Sequence, residues 1–173
     1  MNNKDKKDHI AVAKGDVVQS ESVLTRLHSS CVTGDVLGSL RCDCGPQLHK
    51  SLRMIEKEGR GLLLYMQQEG RGIGLTNKIR AYMLQDAGDD TYQANVDLGF
   101  KPDERQYELA AAMLSKLNIK SVRLLTNNPE KIRELESYSV TVEERVQLET
   151  RPNRFNRRYL QAKKRFGHLL SLK

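Results

Sequence analysis

All three cysteines of this 173-residue chain fall inside fourteen residues, Cys31-Val-Thr-Gly-Asp-Val-Leu-Gly-Ser-Leu-Arg-Cys42-Asp-Cys44. A Cys-x-Cys pair does not readily close on itself as an unstrained disulfide. Two thiolates one residue apart, joined by a third from the preceding loop, can instead grip a soft divalent metal. Zinc is the natural candidate, and three protein ligands leave a fourth tetrahedral position for water, as in a catalytic site. Two other readings stand beside this one. A redox pair more usually reads Cys-x-x-Cys, and a structural knot needs a fourth ligand, for which His28 and His49 are near in sequence. His28 also suits an ordinary buried imidazole.

The length fits one domain with a real core and leaves none for a second catalytic module. Only 38% of residues are hydrophobic, and no apolar run approaches the ~20 residues of a membrane span, so no membrane partner is expected. The polar opening Met1–Asp8 has no hydrophobic region after it; it reads as a disordered, frayed end rather than a secretory signal. That points to the cytoplasm, where thiols stay reduced. The net charge of +7 is a property of the tail: residues 145–173 carry nine Lys/Arg against one acid, Glu149. The run Arg151-Pro-Asn-Arg-Phe-Asn-Arg-Arg158 could draw nucleic acid, polyphosphate or an acidic partner, or form a solvated helix with basic edges.

Alternating patterns predict a mixed α/β domain with helices on both sides of a sheet. Strands are expected at His9–Ala13, Ser22–Leu27, Gly61–Tyr65, Ser121–Leu125 and Ser139–Val142. Leu48, Leu52 and Ile55 recur at helical spacing up to Glu58-Gly59, and Asn77–Leu84 also looks helical. The stretch from Asp89 to Phe100 is ambiguous by period. A further helix follows Pro102-Asp103-Glu104-Arg105, with Leu109, Met113 and Leu117 on one face, and a last one runs from about Asn156 to Arg165.

Three further stretches carry chemistry. Gln68-Glu-Gly-Arg-Gly-Ile-Gly74 sets three glycines around a Glu and an Arg at a strand-to-helix junction, where backbone N–H groups can approach an anion, although a tight turn explains it as simply. It is neither a Walker loop nor a dinucleotide fingerprint. Asp103 sits where a helix N-cap is expected, or as a proton acceptor beside the fixed cation Arg105. Thr126-Asn-Asn-Pro129 makes an anion-ready helix start, with Lys131 in its first turn.

Taken together, Arg26-Leu-His-Ser29, Cys31-x-Thr-Gly-Asp35, Gly38-Ser-Leu-Arg-Cys-Asp-Cys-Gly45, Gln68-Glu-Gly-Arg-Gly-Ile-Gly-Leu75, Asn77-Lys-Ile-Arg-Ala-Tyr82, Asp103-Glu-Arg105 and Arg123-Leu-Leu-Thr-Asn-Asn-Pro129 resemble GTP cyclohydrolase II. The resemblance runs from about His9 to the end. It implies a cytoplasmic homodimer with one Zn2+ per chain on Cys31, Cys42 and Cys44, and Mg2+ with the phosphates of the substrate GTP rather than a nucleic-acid partner. It also implies opening of the guanine imidazole ring at C8 with loss of formate and pyrophosphate, the first step of riboflavin biosynthesis. Asp103, Arg105 and Tyr82 would be catalytic, with Arg105 stabilising the α-phosphoryl group electrostatically. Arg26, Leu27, His28, Ser29, Ser30, Gln47, Glu69, Gly70, Arg71, Thr91, Thr126 and Lys131 would bind GTP, Glu69 reading guanine's N–H edge and Arg71 and Lys131 facing phosphates.

The pattern departs from the family at Ser30, where an acid is usual, and at Gln67, where an arginine is usual. The chain also begins without the N-terminal strands members commonly carry, and its Arg151–Arg158 loop differs. The alternatives are a divergent paralogue with another purine nucleotide or a formyl-retaining product, and a non-catalytic zinc or nucleotide-binding module. A zinc nucleobase deaminase would need His-x-Glu and Pro-Cys-x-x-Cys, and the chain has neither.

Overall fold

The computed structural model describes residues 4–172. Of the expected frayed end, residues 1–3 lie outside the described residues; within the rest, Asp5 accepts a 3.0 Å bond from the ring of His9. Described residues fall into two compact units, drawn from Met1–His28, Gln47–Gln67 and Gln106–Glu149, and from Ser29–Pro46, Gln68–Arg105 and Thr150–Lys173. Neither unit is a continuous stretch.

The first unit is built on a five-stranded mixed sheet. Its strands are β1 (Ile10–Lys14), β2 (Val23–Ser29), β3 (Gly61–Met66), β4 (Ser121–Leu125) and β5 (Thr141–Val146), in the order β1-β3-β2-β4-β5. β1 pairs antiparallel with β3, whereas β2–β4 and β4–β5 are parallel. Parallel strands need crossover connections, and here α6 (Pro129–Ser137) lies between β4 and β5 in the chain. The helix α2 (Cys44–Glu58) precedes β3 and α5 (Glu108–Lys116) precedes β4.

Alternation along the strands divides the core in two. Val23, Leu27, Leu62, Leu64, Met66, Val122 and Leu124 pack with Tyr107, Ala110, Ala111 and Leu114 around α5 and with Leu135 of α6. On the opposite side, Leu24, Leu63 and Leu125 pack with Ile55 and Leu48 of α2 and with Leu148. Helices therefore cover both faces of the sheet, as the periodicity predicts. That is why β3 reads as apolar without a break. The edge strand β1 is exposed along its whole length and ends in Lys14, a charge that discourages further strand addition.

The second unit contains α1 (Val32–Asp35), a 3-10 turn (Glu69–Gly72), α3 (Gly74–Ala87), α4 (Thr91–Asp97) and α7 (Arg157–Arg165). The ambiguous stretch after Asp89 becomes α4 because Asp90 caps it, its carboxylate accepting from the N–H groups of Tyr92 and Gln93. Of the two readings left open for Asp103, the cap is excluded. α5 starts at Glu108 behind Tyr107, so Asp103 does not cap it; the carboxylate is instead taken by Arg105, whose backbone N–H and guanidinium both donate to it.

Leu64 is fully buried at the centre of β3, while Val12 on β1 is 48% exposed. Leu64→Ala should cost about 3 kcal/mol by lost burial and the cavity it leaves, and Val12→Ala under ~0.5 kcal/mol. Urea denaturation curves of equal slope with displaced midpoints would measure both; comparable losses at the two positions would contradict the placement of the core.

Candidate metal centre

The three cysteines converge in the second unit. Their Sγ atoms all lie within 4.8 Å of one another, and those of Cys31 and Cys42 are 3.7 Å apart. A tetrahedral ion holding sulfur at ~2.3 Å spaces its ligands by ~3.8 Å, so this edge already has the right length. The short helix α1 makes the cradle. Cys31 N–H donates to Asp35 Oδ2 (2.9 Å) while Asp35 N–H returns a bond to the Cys31 carbonyl (2.7 Å), closing the turn that carries Gly34. A Cβ at Gly34 would come within 2.8 Å of Cys42 Sγ and 3.2 Å of Cys31 Sγ. Only glycine leaves that space free. Among the described residues no histidine or carboxylate joins the group.

Protonation is unequal among the thiols. Bonds from Cys42 and Cys44, with a further one from Lys78, hold Cys31 far below the ordinary thiol value. Donation to Cys31 pushes Cys42 up to about 11, and the same contact together with burial raises Cys44 well above its usual value. Cys31 is therefore the thiolate of the group, and an ion bound by all three sulfurs must displace the protons of the other two.

Lys78 is the residue that sequence reasoning missed. Its Nζ donates to Cys31 Sγ (3.0 Å), Thr33 Oγ1 (2.8 Å) and Glu69 Oε1 (2.8 Å). Burial opposes its charge, yet Glu69 and Cys31 outweigh burial and raise its pKa. The available signal was spacing: Lys78 precedes Tyr82 by four residues on α3, one helical turn along the same face. Tyr82 OH lies 3.3 Å from Thr33 Oγ1, and burial raises its pKa, so it stands as a protonated phenol. Arg41 stacks 4.6 Å from the Tyr82 ring and donates to Asp86, tying the residue before Cys42 to α3.

The glycine-rich stretch proves to be an anchored turn. Glu69 accepts from Val32 N–H (2.7 Å), its neighbour Gly70 N–H (2.9 Å) and Lys78, filling three of about four carboxylate lone-pair positions. Gly70 and Arg71 both adopt left-handed conformations (φ +61° and +60°), which for Arg71 is a strained state held by its surroundings. Arg71 lies over the Tyr92 ring (4.0 Å) and 3.6 Å from Asp103. Asp103 also accepts from Arg105 Nε (2.8 Å). Burial would raise the Asp103 pKa, but the charge and bonds of Arg105, with Arg71 behind them, lower it. Thr91 opens α4, and Ser29 and Ser30 lead directly into Cys31, Ser30 being buried.

The first unit holds the remaining candidates. Arg26 is buried and donates to the Leu125 carbonyl (2.9 Å) and to Gln47 Oε1 (2.7 Å). Lys131 is buried and donates to the Leu27 carbonyl (2.9 Å), while the Leu27 side chain lies in the core. His28 stacks on Tyr65 at 5.4 Å. Thr126 is buried at the end of β4, where its Oγ1 accepts from Asn128 N–H (3.0 Å).

Comparison with known proteins gives these residues a context. The family described as GTP cyclohydrolase II matches residues 1–147. The chain is 56% identical over 172 residues to the riboflavin biosynthesis protein RibBA of Bacillus mycoides, covering 99% of this chain and 43% of that protein. It is 55% identical over 164 residues to the RibBA of Phocaeicola vulgatus, covering 94% of this chain and 41% of that one. The GTP cyclohydrolase-2 of Pseudomonas paraeruginosa is 57% identical over 165 residues, 95% of this chain and 80% of its own length. The chain thus spans less than half the length of the RibBA proteins it matches. With the family pattern covering most of its residues, the chain belongs to the GTP cyclohydrolase II family.

Proposed function

We propose that this chain opens the imidazole ring of GTP at C8 and releases formate and pyrophosphate. The product is 2,5-diamino-6-ribosylamino-pyrimidinone 5'-phosphate, at the entry to riboflavin biosynthesis. The observation that carries the reading is the cluster of three sulfurs within 4.8 Å, in a chain of this family. Cys31, Cys42 and Cys44 would hold Zn2+, which would supply a water activated for attack at neutral pH. Mg2+ would accompany the GTP phosphates, and the working protein would be a cytoplasmic homodimer.

The chain's own residues then have distinct tasks. Tyr82, a neutral phenol, donates a hydrogen bond to the purine. Asp103 is ionised at neutral pH because Arg105 and Arg71 stabilise its charge, and an ionised carboxylate takes up the proton that hydrolysis releases. Arg105 remains a cation and offsets charge on the α-phosphoryl group; with a pKa above ~12 it is a poor nucleophile. Arg26, Leu27, His28, Ser29, Ser30, Gln47, Glu69, Gly70, Arg71, Thr91, Thr126 and Lys131 form the GTP-binding set. Within it, the support that Glu69 receives from Lys78 and two backbone amides fixes its carboxylate before substrate arrives.

Zinc-loaded protein incubated with GTP and Mg2+ should yield formate, pyrophosphate and the diaminopyrimidine ribotide by mass-resolved product analysis. Cys42→Ser should lose both the metal and at least ~10³-fold in rate. Intact GTP after full loading would overturn the reading, and a formyl-retaining product would assign Ser30 and Gln67 a redirected reaction.

Acid titration examines Asp103 separately. A carboxyl whose pKa is lowered by folding stabilises the fold above its unfolded value of ~3.9, and that contribution is lost as pH falls through the folded value. The stability gap between the parent and Asp103→Asn should therefore be constant from about pH 5 to pH 7 and shrink below about pH 4, as read from urea midpoints. A gap that widens on acidification would show that Asp103 is not held by Arg105.

A further inference from the structure

The basic C-terminal segment finds no task in the reaction above, yet one of its lysines does not face solvent. Lys163 of α7 donates to Asp43 Oδ1 at 2.7 Å, across 120 residues of sequence. Their side chains are 13% and 2% exposed, in contrast to Lys164, which is exposed. Asp43 is the residue between Cys42 and Cys44. Its backbone torsions set the direction in which both thiols point, so whatever holds the Asp43 side chain constrains two sulfurs together.

We infer that Lys163 is a positioning residue for the metal loop, a clamp that holds Asp43 and through it the Cys42–Cys44 pair in the geometry of a three-sulfur site. The inference rests on the reading that the three thiols hold a metal. α7 is itself well anchored for this purpose. Leu160 and Ala162 are buried, Phe166 stacks on Tyr92 at 3.6 Å, and Arg165 donates to Asp90 at 3.2 Å. One turn earlier on α7, the ring of Tyr159 lies 4.5 Å from the Lys163 ammonium and limits its sideways movement. The clamp also comes from beyond residue 147, where the match to the family pattern ends. Partners behind the ligands of metal sites tune them, and their loss typically weakens metal binding by ~10–100-fold.

The test uses the full chain with Zn2+ competed against a chromophoric chelator, and with Co2+ as a spectroscopic probe of thiolate coordination. Lys163→Met should weaken Zn2+ binding ~10–100-fold and alter the Co2+–thiolate charge-transfer band. Lys164→Met, which removes the same charge from the same helix, should change neither, and Lys163→Arg should restore most of the affinity. Parent-like affinity and an unchanged band in Lys163→Met would overturn the clamp. Should that variant fail to fold, Asp43→Asn decides the matter: weakened Zn2+ binding upholds the clamp, and parent-like binding refutes it. These readings are independent of turnover. A parent that binds Co2+ but leaves GTP intact would remove the assigned reaction and leave the clamp standing, whereas active parent with an indifferent Lys163→Met would do the reverse.

Discussion

Three sulfurs packed within 4.8 Å cannot all carry charge without help, and the second unit is arranged around that electrostatic fact. One thiolate, Cys31, is stabilised by the protons of its two neighbours and by the ammonium of Lys78. Removing the remaining protons in favour of a divalent ion replaces S–H donors with a stronger positive charge at their centre. The sulfurs approach one another beside Gly34, where a Cβ would crowd Cys42 and Cys31. The cost of burying Lys78 is in turn offset by Glu69, which two backbone N–H groups hold in place. The cysteine cluster, lysine and glycine-rich turn form one connected network, and a change to any member is felt by the others.

The same coupling shapes the glycine-rich stretch. Its N–H groups are not all displayed outward: Gly70 donates to the preceding carboxylate. The left-handed backbone at Gly70 and Arg71 turns the chain sharply enough for Arg71 to lie over Tyr92 while Glu69 remains with Lys78. Asp103 then receives charge from both Arg71 and Arg105. A turn that costs strain at Arg71 is what allows one tripeptide to serve two groups of charges at once.

Much of the architecture was legible because it depends on local periodicity. The β-favouring run Ser22–Leu27, the unbroken apolar run Gly61–Tyr65 and the helical spacing from Leu48 to Ile55 each correspond to an element whose residues are buried in the sheet's core. The convergence of the cysteines was legible because all three fall within fourteen residues. Asp103 stayed open between a cap and a partner of Arg105, since an acid shortly before an apolar helical pattern is also the usual N-cap signal and only the fold shows Arg105 on its carboxylate. α4 was ambiguous because its seven residues are too few to establish a period, and the Asp90 cap decides the matter. Lys78 was missed for another reason: its partners Cys31, Thr33 and Glu69 are brought to it by folding.

The basic tail shows how composition misleads when helical phase is ignored. Counting charges from Arg145 to Lys173 treats every cation as available to an outside partner. On a helix, however, Tyr159, Lys163 and Phe166 share one face, with the buried Leu160 beside them. A lysine in the phase of an aromatic and aliphatic stripe must either bend its ammonium out to water or meet a carboxylate inside. Lys163 takes the second course with Asp43, and Lys164, one hundred degrees around the helix, takes neither because it already faces solvent. Sequence could have supplied this distinction, since the stripe is written in residues 159–166. What it could not supply is the position of the matching acid, 120 residues earlier and between Cys42 and Cys44. An exposed charge can be read from composition and helical phase; a paired one requires the fold.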